Sequence, residues 1–175
     1  CLVGSEMCIR DSVICFHSRL ISTDRAVIER ELTELVGKKS TCEKRDKLIV
    51  VGTQVLEQSL DIDFDYMITE LCPMDLLLQR SGRLHRHNRT RPDKLSEPEL
   101  CVLIPEDFSK SVYSGWILKQ TEKYLPDKLV IPGCIPELVG AVYSEPDNDE
   151  QQTAEYRKYS DEQKEKKQRA KKYCI

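Results

Sequence analysis

The sequence predicts an α/β fold: a parallel sheet with helices on both faces. Three observations carry that expectation. Four short runs, at 13–16, 48–51, 66–68 and 100–104, are apolar throughout, as strands buried on both faces are. Segments with helically spaced apolar residues separate them. The order reads β-α-β-β-α-β, the alternation that parallel strands joined by crossovers require. A chain of 175 residues is long enough for one such domain and an appendage.

The elements follow in order. The chain begins at Cys1 rather than Met, which predicts a fragment, and residues 1–12 look like a translated sequencing-adapter read-through, with native sequence resuming near Val13. After the first strand, Ser22 and Thr23 are expected to cap a helix whose inner face carries Ile28, Leu32, Leu35 and Val36, and Gly37 is expected to stop it. Pro73 suits the first turn of a second helix running to about Arg86. Beyond the fourth strand the character becomes helical: 111–125 with Val112, Trp116 and Lys119 near one stripe, 136–143, and a polar, charged stretch at 147–172. The expected organisation is a domain at 13–107, a helical extension at 108–146 and a charged linker or tail at 147–175.

Composition narrows the function classes. Hydrophobic residues make up 39% and charged residues 33%, the balance of a globular protein with a charged surface. A formal net charge of -3 excludes a generally basic nucleic-acid coat, so phosphate contacts must come from a local cluster. No apolar run approaches the roughly 20 residues of a membrane span, and no secretory signal is recognisable. None of the eight cysteines forms a C-x-x-C pair, and the three histidines have no H-x3-5-H partner. The expectation is reduced thiols, several on buried strands, in a cytoplasmic protein without a structural metal.

Three segments carry the chemistry. In the run Gln79-Arg80-Ser81-Gly82-Arg83-Leu84-His85-Arg86, helical spacing would set Gln79, Arg83 and Arg86 on one face. Gly82 costs a helix about 1 kcal/mol, so its missing side chain implies close approach of a ligand or backbone. Two arginines fixed together suit a phosphoryl group, because a guanidinium makes forked charge-assisted bonds. The second segment, from Val51 to Asp61, leaves Thr53 at the carboxyl edge of a strand, where α/β sheets bind ligands. Asp61, Asp63 and Asp65 fail the calcium-loop pattern, with Tyr66 at the sixth position and Cys72 at the twelfth. Asp63 and Asp65 therefore read as turn-forming, solvated acids. The third segment, His17-Ser18-Arg19, leaves the first strand at the same edge.

In this order the three segments resemble motifs IV, V and VI of the second motor domain of superfamily 2 helicases. The runs HSRL, VGTQVLEQSLDIDFD and PMDLLLQRSGRLHRHNRTRP are similar to the helicase–nuclease family of type I CRISPR interference, over about residues 13–143. The resemblance implies a RecA-like domain that completes an ATP site. By it, Arg83 and Arg86 are arginine fingers, and Gln79 and Gly82 belong to the nucleotide-facing motif. Asp61 contacts the ribose. Thr53, His17, Ser18 and Arg19 hold single-stranded DNA, and Gln58 and Ser59 couple the two duties. Gln58-Ser59 departs from the Arg-Gly often found there in related helicases. The implied cofactor is ATP with Mg2+, held mainly by another RecA-like domain, because this chain shows neither a G-x-x-x-x-G-K-[ST] loop nor a magnesium motif. The implied partners are single-stranded DNA and a Cascade-type CRISPR surveillance complex, with no membrane. Another superfamily 2 motor and a non-catalytic RecA-like adaptor remain open, as does a plain nucleic-acid patch made of Arg80, Arg83, Arg86, Arg89 and Arg91.

Overall fold

The computed structural model describes residues 12–57 and 60–173. The adapter-like segment therefore lies outside the described residues except for Ser12, and Gln58 and Ser59 lie outside them too. The elements in order are β1 (Ser12–Phe16), α1 (Ser22–Val36), α2 (Cys42–Arg45), β2 (Leu48–Gly52), a 3-10 turn (Gln54–Glu57), β3 (Tyr66–Glu70), α3 (Met74–Ser81), β4 (Glu99–Leu103), α4 (Gly115–Tyr124), α5 (Ile135–Tyr143), α6 (Asn148–Gln151) and α7 (Ala154–Tyr173). The fold class is α/β with a helical C-terminal region, as the apolar runs imply. The described strands pair as β1 with β2 and β3 with β4.

By internal contacts the chain divides into two units, one running up to Met67 and resuming over Gln79–Cys101, the other comprising Ile68–Leu78 and everything from Val102. In the first unit β1 and β2 are parallel and in step, from Ser12 beside Leu48 to Phe16 beside Gly52. Their carboxyl ends therefore finish side by side. Alternation sends Ile14, Phe16, Leu48 and Val50 inward, onto a core completed by Leu32 and Val36 of α1 with Val55 and Ile62. The opposite face carries half-exposed Val13, Ile49 and Val51.

The apolar face of α1 is the one its spacing indicates, but its ends differ in mechanism. Ser22 is the first helical residue, and the cap position is Ile21, with no side-chain capping bond. Gly37 does end the helix, yet its backbone is extended rather than left-handed, with φ -79°. A Cβ there would lie 2.2 Å from the Thr33 carbonyl oxygen, so close approach, not backbone freedom, demands the glycine.

Helix α3 ends at Ser81, short of the expected Arg86. After Gly82 the backbone finds other partners: Phe64 N–H donates to the Arg83 carbonyl (2.8 Å) and His85 N–H to the Phe64 carbonyl (3.0 Å). This parallel bridge, with His85 at φ 49°, replaces helical hydrogen bonds. The expected helical face joining Gln79, Arg83 and Arg86 is thus not formed.

The second unit has its own core: Met74 and Leu78, Trp116 and Ile117 of α4, and Val142 of α5. Tyr156 of α7 meets Trp116 edge-on, ring centroids 5.1 Å apart. Lys119–Glu155 (2.6 Å) and Lys123–Glu150 (2.8 Å) pair in solvent, where such contacts add little to stability. The Tyr143 hydroxyl donates to Asp75 at 2.6 Å, and partial burial followed by that bond pushes the phenol well above its ordinary value. Helix α4 begins only at Gly115, so Val112 precedes it and is largely exposed rather than on its stripe. Cys72 is the buried thiol among the described cysteines; Cys15, on β1, is exposed, contrary to its expected burial.

Leu32 is fully buried at the centre of the first unit's core. Leu32→Ala should therefore lower unfolding free energy by about 2–5 kcal/mol in denaturant titration, through lost burial and the cavity left behind.

Candidate functional site

Two groups of side chains lie within the first unit. The first sits where β1 and β2 end. The Thr53 N–H donates to the Phe16 carbonyl at 3.2 Å, which holds the two strand exits together. Gly52 has little room for a side chain: an added Cβ would meet Leu56, of the following 3-10 turn, at 2.1 Å and the Phe16 carbonyl at 3.2 Å. His17, Ser18 and Arg19 turn away from β1, and all three, with Thr53, are exposed. The Arg19 N–H donates to His17 Nδ1 at 3.2 Å. A ring nitrogen accepting a backbone N–H leaves the neutral imidazole proton on Nε2, the donor side. The edge therefore offers two hydroxyls, a guanidinium and an imidazole N–H, a set of donors matched to phosphate oxygens.

The second group forms around the backbone from Leu60 to Asp65. Arg86 Nε lies 2.9 Å from Asp61 Oδ1, with the arginine side chain 41% exposed and the aspartate 51%. Arg83 is half-buried and its Nη1 donates to the Leu60 carbonyl. Burial, and then the positive charge of Arg86, pull the Arg83 guanidinium below its ordinary value, against the pull of Asp61. A guanidinium stays protonated in proteins, so two like charges stand close together on one short stretch. Among the described residues no hydrogen bond or ion pair engages the terminal nitrogens of Arg86. Arg83, Arg86 and Asp61 are thus brought together by the turn after α3 and the bridge to Phe64, not by the expected helix face. Gly82 lies in that turn, and Gln79 is exposed in the last turn of α3. Arg86 also borders an open concavity of about 550 Å3, shared with His87, Asn88 and Ser96.

Asp63 corrects the reading of solvated turn acids. It is 0% exposed. Its Oδ1 accepts from the Arg86 N–H at 2.9 Å, and both its oxygens accept from Arg91 Nη2 at 2.9 Å. Arg89 Nε lies 2.7 Å from Oδ2 without hydrogen-bond alignment, so that contact is an ion pair. Arg89 in turn donates to the carbonyls of Gly37 (2.9 Å) and Ser40 (3.2 Å). Asp65 is likewise engaged, by Arg91 and by a forked contact from Arg45 through Nη2 (2.8 Å) and Nε (3.2 Å). Burial pulls Arg45 down, opposed by Asp63. Arg89 and Arg91 are therefore internal counter-ions, not members of a surface patch. The sequence signal for this network was the facing sets Asp61/Asp63/Asp65 and Arg86/Arg89/Arg91. Extended backbone points alternate residues the same way, so the three acids share one side.

His87 also belongs to the site: its Nε2 lies 3.1 Å from Asp61 Oδ1. Among the described residues, no group of three or more His, Cys, Asp or Glu side chains converges as a metal site. No described helix is long and apolar enough to cross a membrane.

Residues 3–89 match the family described as CRISPR-associated nuclease/helicase Cas3, C-terminal. Similar proteins include the CRISPR-associated nuclease/helicase Cas3 of Streptococcus thermophilus, 46% identical over 140 residues, which cover 77% of this chain and 15% of that protein. The Thermus thermophilus endonuclease/helicase Cas3 is 39% identical over 151 residues, covering 81% of this chain and 16% of that one. Among solved structures, T. fusca Cas3-AMPPNP superposes with a TM-score of 0.69 at 34% identity, covering 79% of this chain and 17% of that chain. A CRISPR RNA-guided surveillance complex, pre-nicking, gives 0.71 at 34% identity, covering 87% of this chain and 20% of that chain. The chain thus spans about a sixth of the length of these relatives.

Removing the Asp63 carboxylate takes the counter-ion from largely buried Arg89 and leaves Arg91 with Asp65 alone. Asp63→Ala should destabilise the fold by about 3–5 kcal/mol in denaturant titration, the cost of breaking a buried ion pair from one side.

Proposed function

The chain belongs to the Cas3 family of CRISPR-associated nuclease/helicases, in the C-terminal region, and from that premise we propose that it is the second RecA-like half of an ATP-driven motor moving along single-stranded DNA. One observation supports this most: Arg86, held through Nε by Asp61, has terminal nitrogens that no hydrogen bond or ion pair among the described residues engages, beside a second arginine. Such a fork donates hydrogen bonds to the oxygens of a phosphoryl group, whose negative charge relieves the repulsion between the guanidiniums.

In this reading Arg86 and Arg83 are the catalytic residues, stabilising charge on the transferring γ-phosphoryl group. ATP supplies that group and its high transfer potential. Asp61 keeps Oδ2 for a ribose hydroxyl, because both its ion-pair contacts fall on Oδ1. Gln79 and Gly82 border the nucleotide. The residues do not fit Mg2+: Asp63 and Asp65 are committed to arginines, so we assign the cation to another domain. We assign the strand-exit group, His17, Ser18, Arg19 and Thr53, to the DNA backbone. Gln58 and Ser59, between Thr53 and Asp61 in sequence, couple the two groups.

Arg86 completes the ATP site only when the cleft with the other motor domain is closed. Once the γ-phosphoryl group has passed to water and left as phosphate, with ADP as the other product, the arginine is released, the cleft opens, and the strand-exit grip moves along the DNA. We place the motor domain at 13–107, a helical extension at 108–146 and a charged tail at 147–175. The full-length protein acts in the cytoplasm on DNA presented by a surveillance complex, and the chain alone, whose sequence has neither a G-x-x-x-x-G-K-[ST] loop nor a magnesium motif, turns over no ATP.

In the full-length protein, Arg86→Ala and Arg83→Ala should each cut DNA-stimulated ATP turnover by about 10³–10⁵-fold, about 4–7 kcal/mol of barrier. Turnover above about a tenth of wild type, for a folded variant, contradicts the assignment.

A further inference from the structure

Asp61 Oδ1 is shared. Arg86 Nε reaches it at 2.9 Å and His87 Nε2 at 3.1 Å. The His87 side chain is only 16% exposed, and its Nε2 is buried with no aligned hydrogen-bond partner. A buried ring nitrogen left this way is uncommon and asks for a reason. The backbone of His87 is pinned as well: its carbonyl accepts from Arg91 Nη2 at 3.1 Å, and Arg91 is itself fixed on buried Asp63. The imidazole is therefore a largely buried wall beside a carboxylate that is otherwise half exposed.

We infer that His87 is a positioning residue, holding the Asp61 carboxylate so that Arg86 presents its fork to the phosphoryl group. The inference rests on the motor reading above. A solvent-exposed carboxylate samples several rotamers, and an arginine bound through Nε follows it. With His87 closing one side, Oδ1 has one position, Nε has one acceptor and Oδ2 has one direction. A small misplacement of such a group costs rate more than ground-state affinity, because the fork acts on charge that develops during transfer.

The test is a double-mutant cycle in the full-length protein, reading DNA-stimulated ATP turnover. His87→Ala should lower kcat by about 10–100-fold, the scale of a misplaced group, with KM for ATP moving less than about threefold. His87→Gln keeps a polar side chain of similar reach against Oδ1 and should recover kcat to within about threefold of wild type. In an Asp61→Ala background, His87→Ala should cost less than about twofold more, since its effect passes through that carboxylate. An undiminished effect of His87→Ala in that background overturns the inference, as does an unchanged kcat or a Gln variant as impaired as Ala. Arg86→Ala is run beside them: if it keeps turnover, the motor reading itself fails, whatever His87 does.

Discussion

A fully buried aspartate carries the architecture of the candidate site. Asp63 has no solvent to stabilise its charge, so the chain surrounds it with Arg91, Arg89 and the backbone N–H of Arg86. Taking ions from water costs several kcal/mol each, and only close, multiple contacts offset that. The consequence is geometric. The loop after α3 must fold back along the segment that carries Asp63, which places residue 86 over Asp61. Arg86 and Asp61 are exposed, but their backbones are set by the buried pair beneath them.

The same constraint explains what the sequence revealed and what it concealed. Apolar runs located all four strands, and the spacing of Ile28, Leu32, Leu35 and Val36 identified the inner face of α1, because burial of side chains is a local pattern. The course of the chain after Ser81 was not local. Helical spacing of Gln79, Arg83 and Arg86 suggested continuity, whereas the backbone leaves the helix to bond Phe64, far away in sequence. Gly82 signalled a special position, and the break in the helix comes there. Capping failed for a related reason: Ser22 has the right chemistry, but the helix starts one residue earlier than a cap there would need.

Asp63 and Asp65 were the hardest to read. Their spacing with Asp61 looks like a solvated turn, since acids in a row are usually exposed. Their surroundings were decided by arginines twenty or more positions away, Arg45 upstream and Arg89 and Arg91 downstream. That Arg83, Arg86 and Asp61 serve one nucleotide was only what the family resemblance implied, and the fold-back that sets Arg86 beside Asp61 was not legible. His87 was not legible as a partner of Asp61, for nothing in its sequence surroundings distinguishes it from His85.

Two sets of donors thus belong to one unit, one at the exits of β1 and β2 and one on the loop after α3. If the second recognises developing charge, it should prefer a transition-state mimic over a product. The most direct measurement compares the affinities of full-length wild type and Arg86→Ala for ADP–aluminium fluoride with their affinities for ADP. The substitution should weaken the mimic by at least about a hundredfold while changing ADP less than about threefold. Equal changes for both ligands would contradict the account.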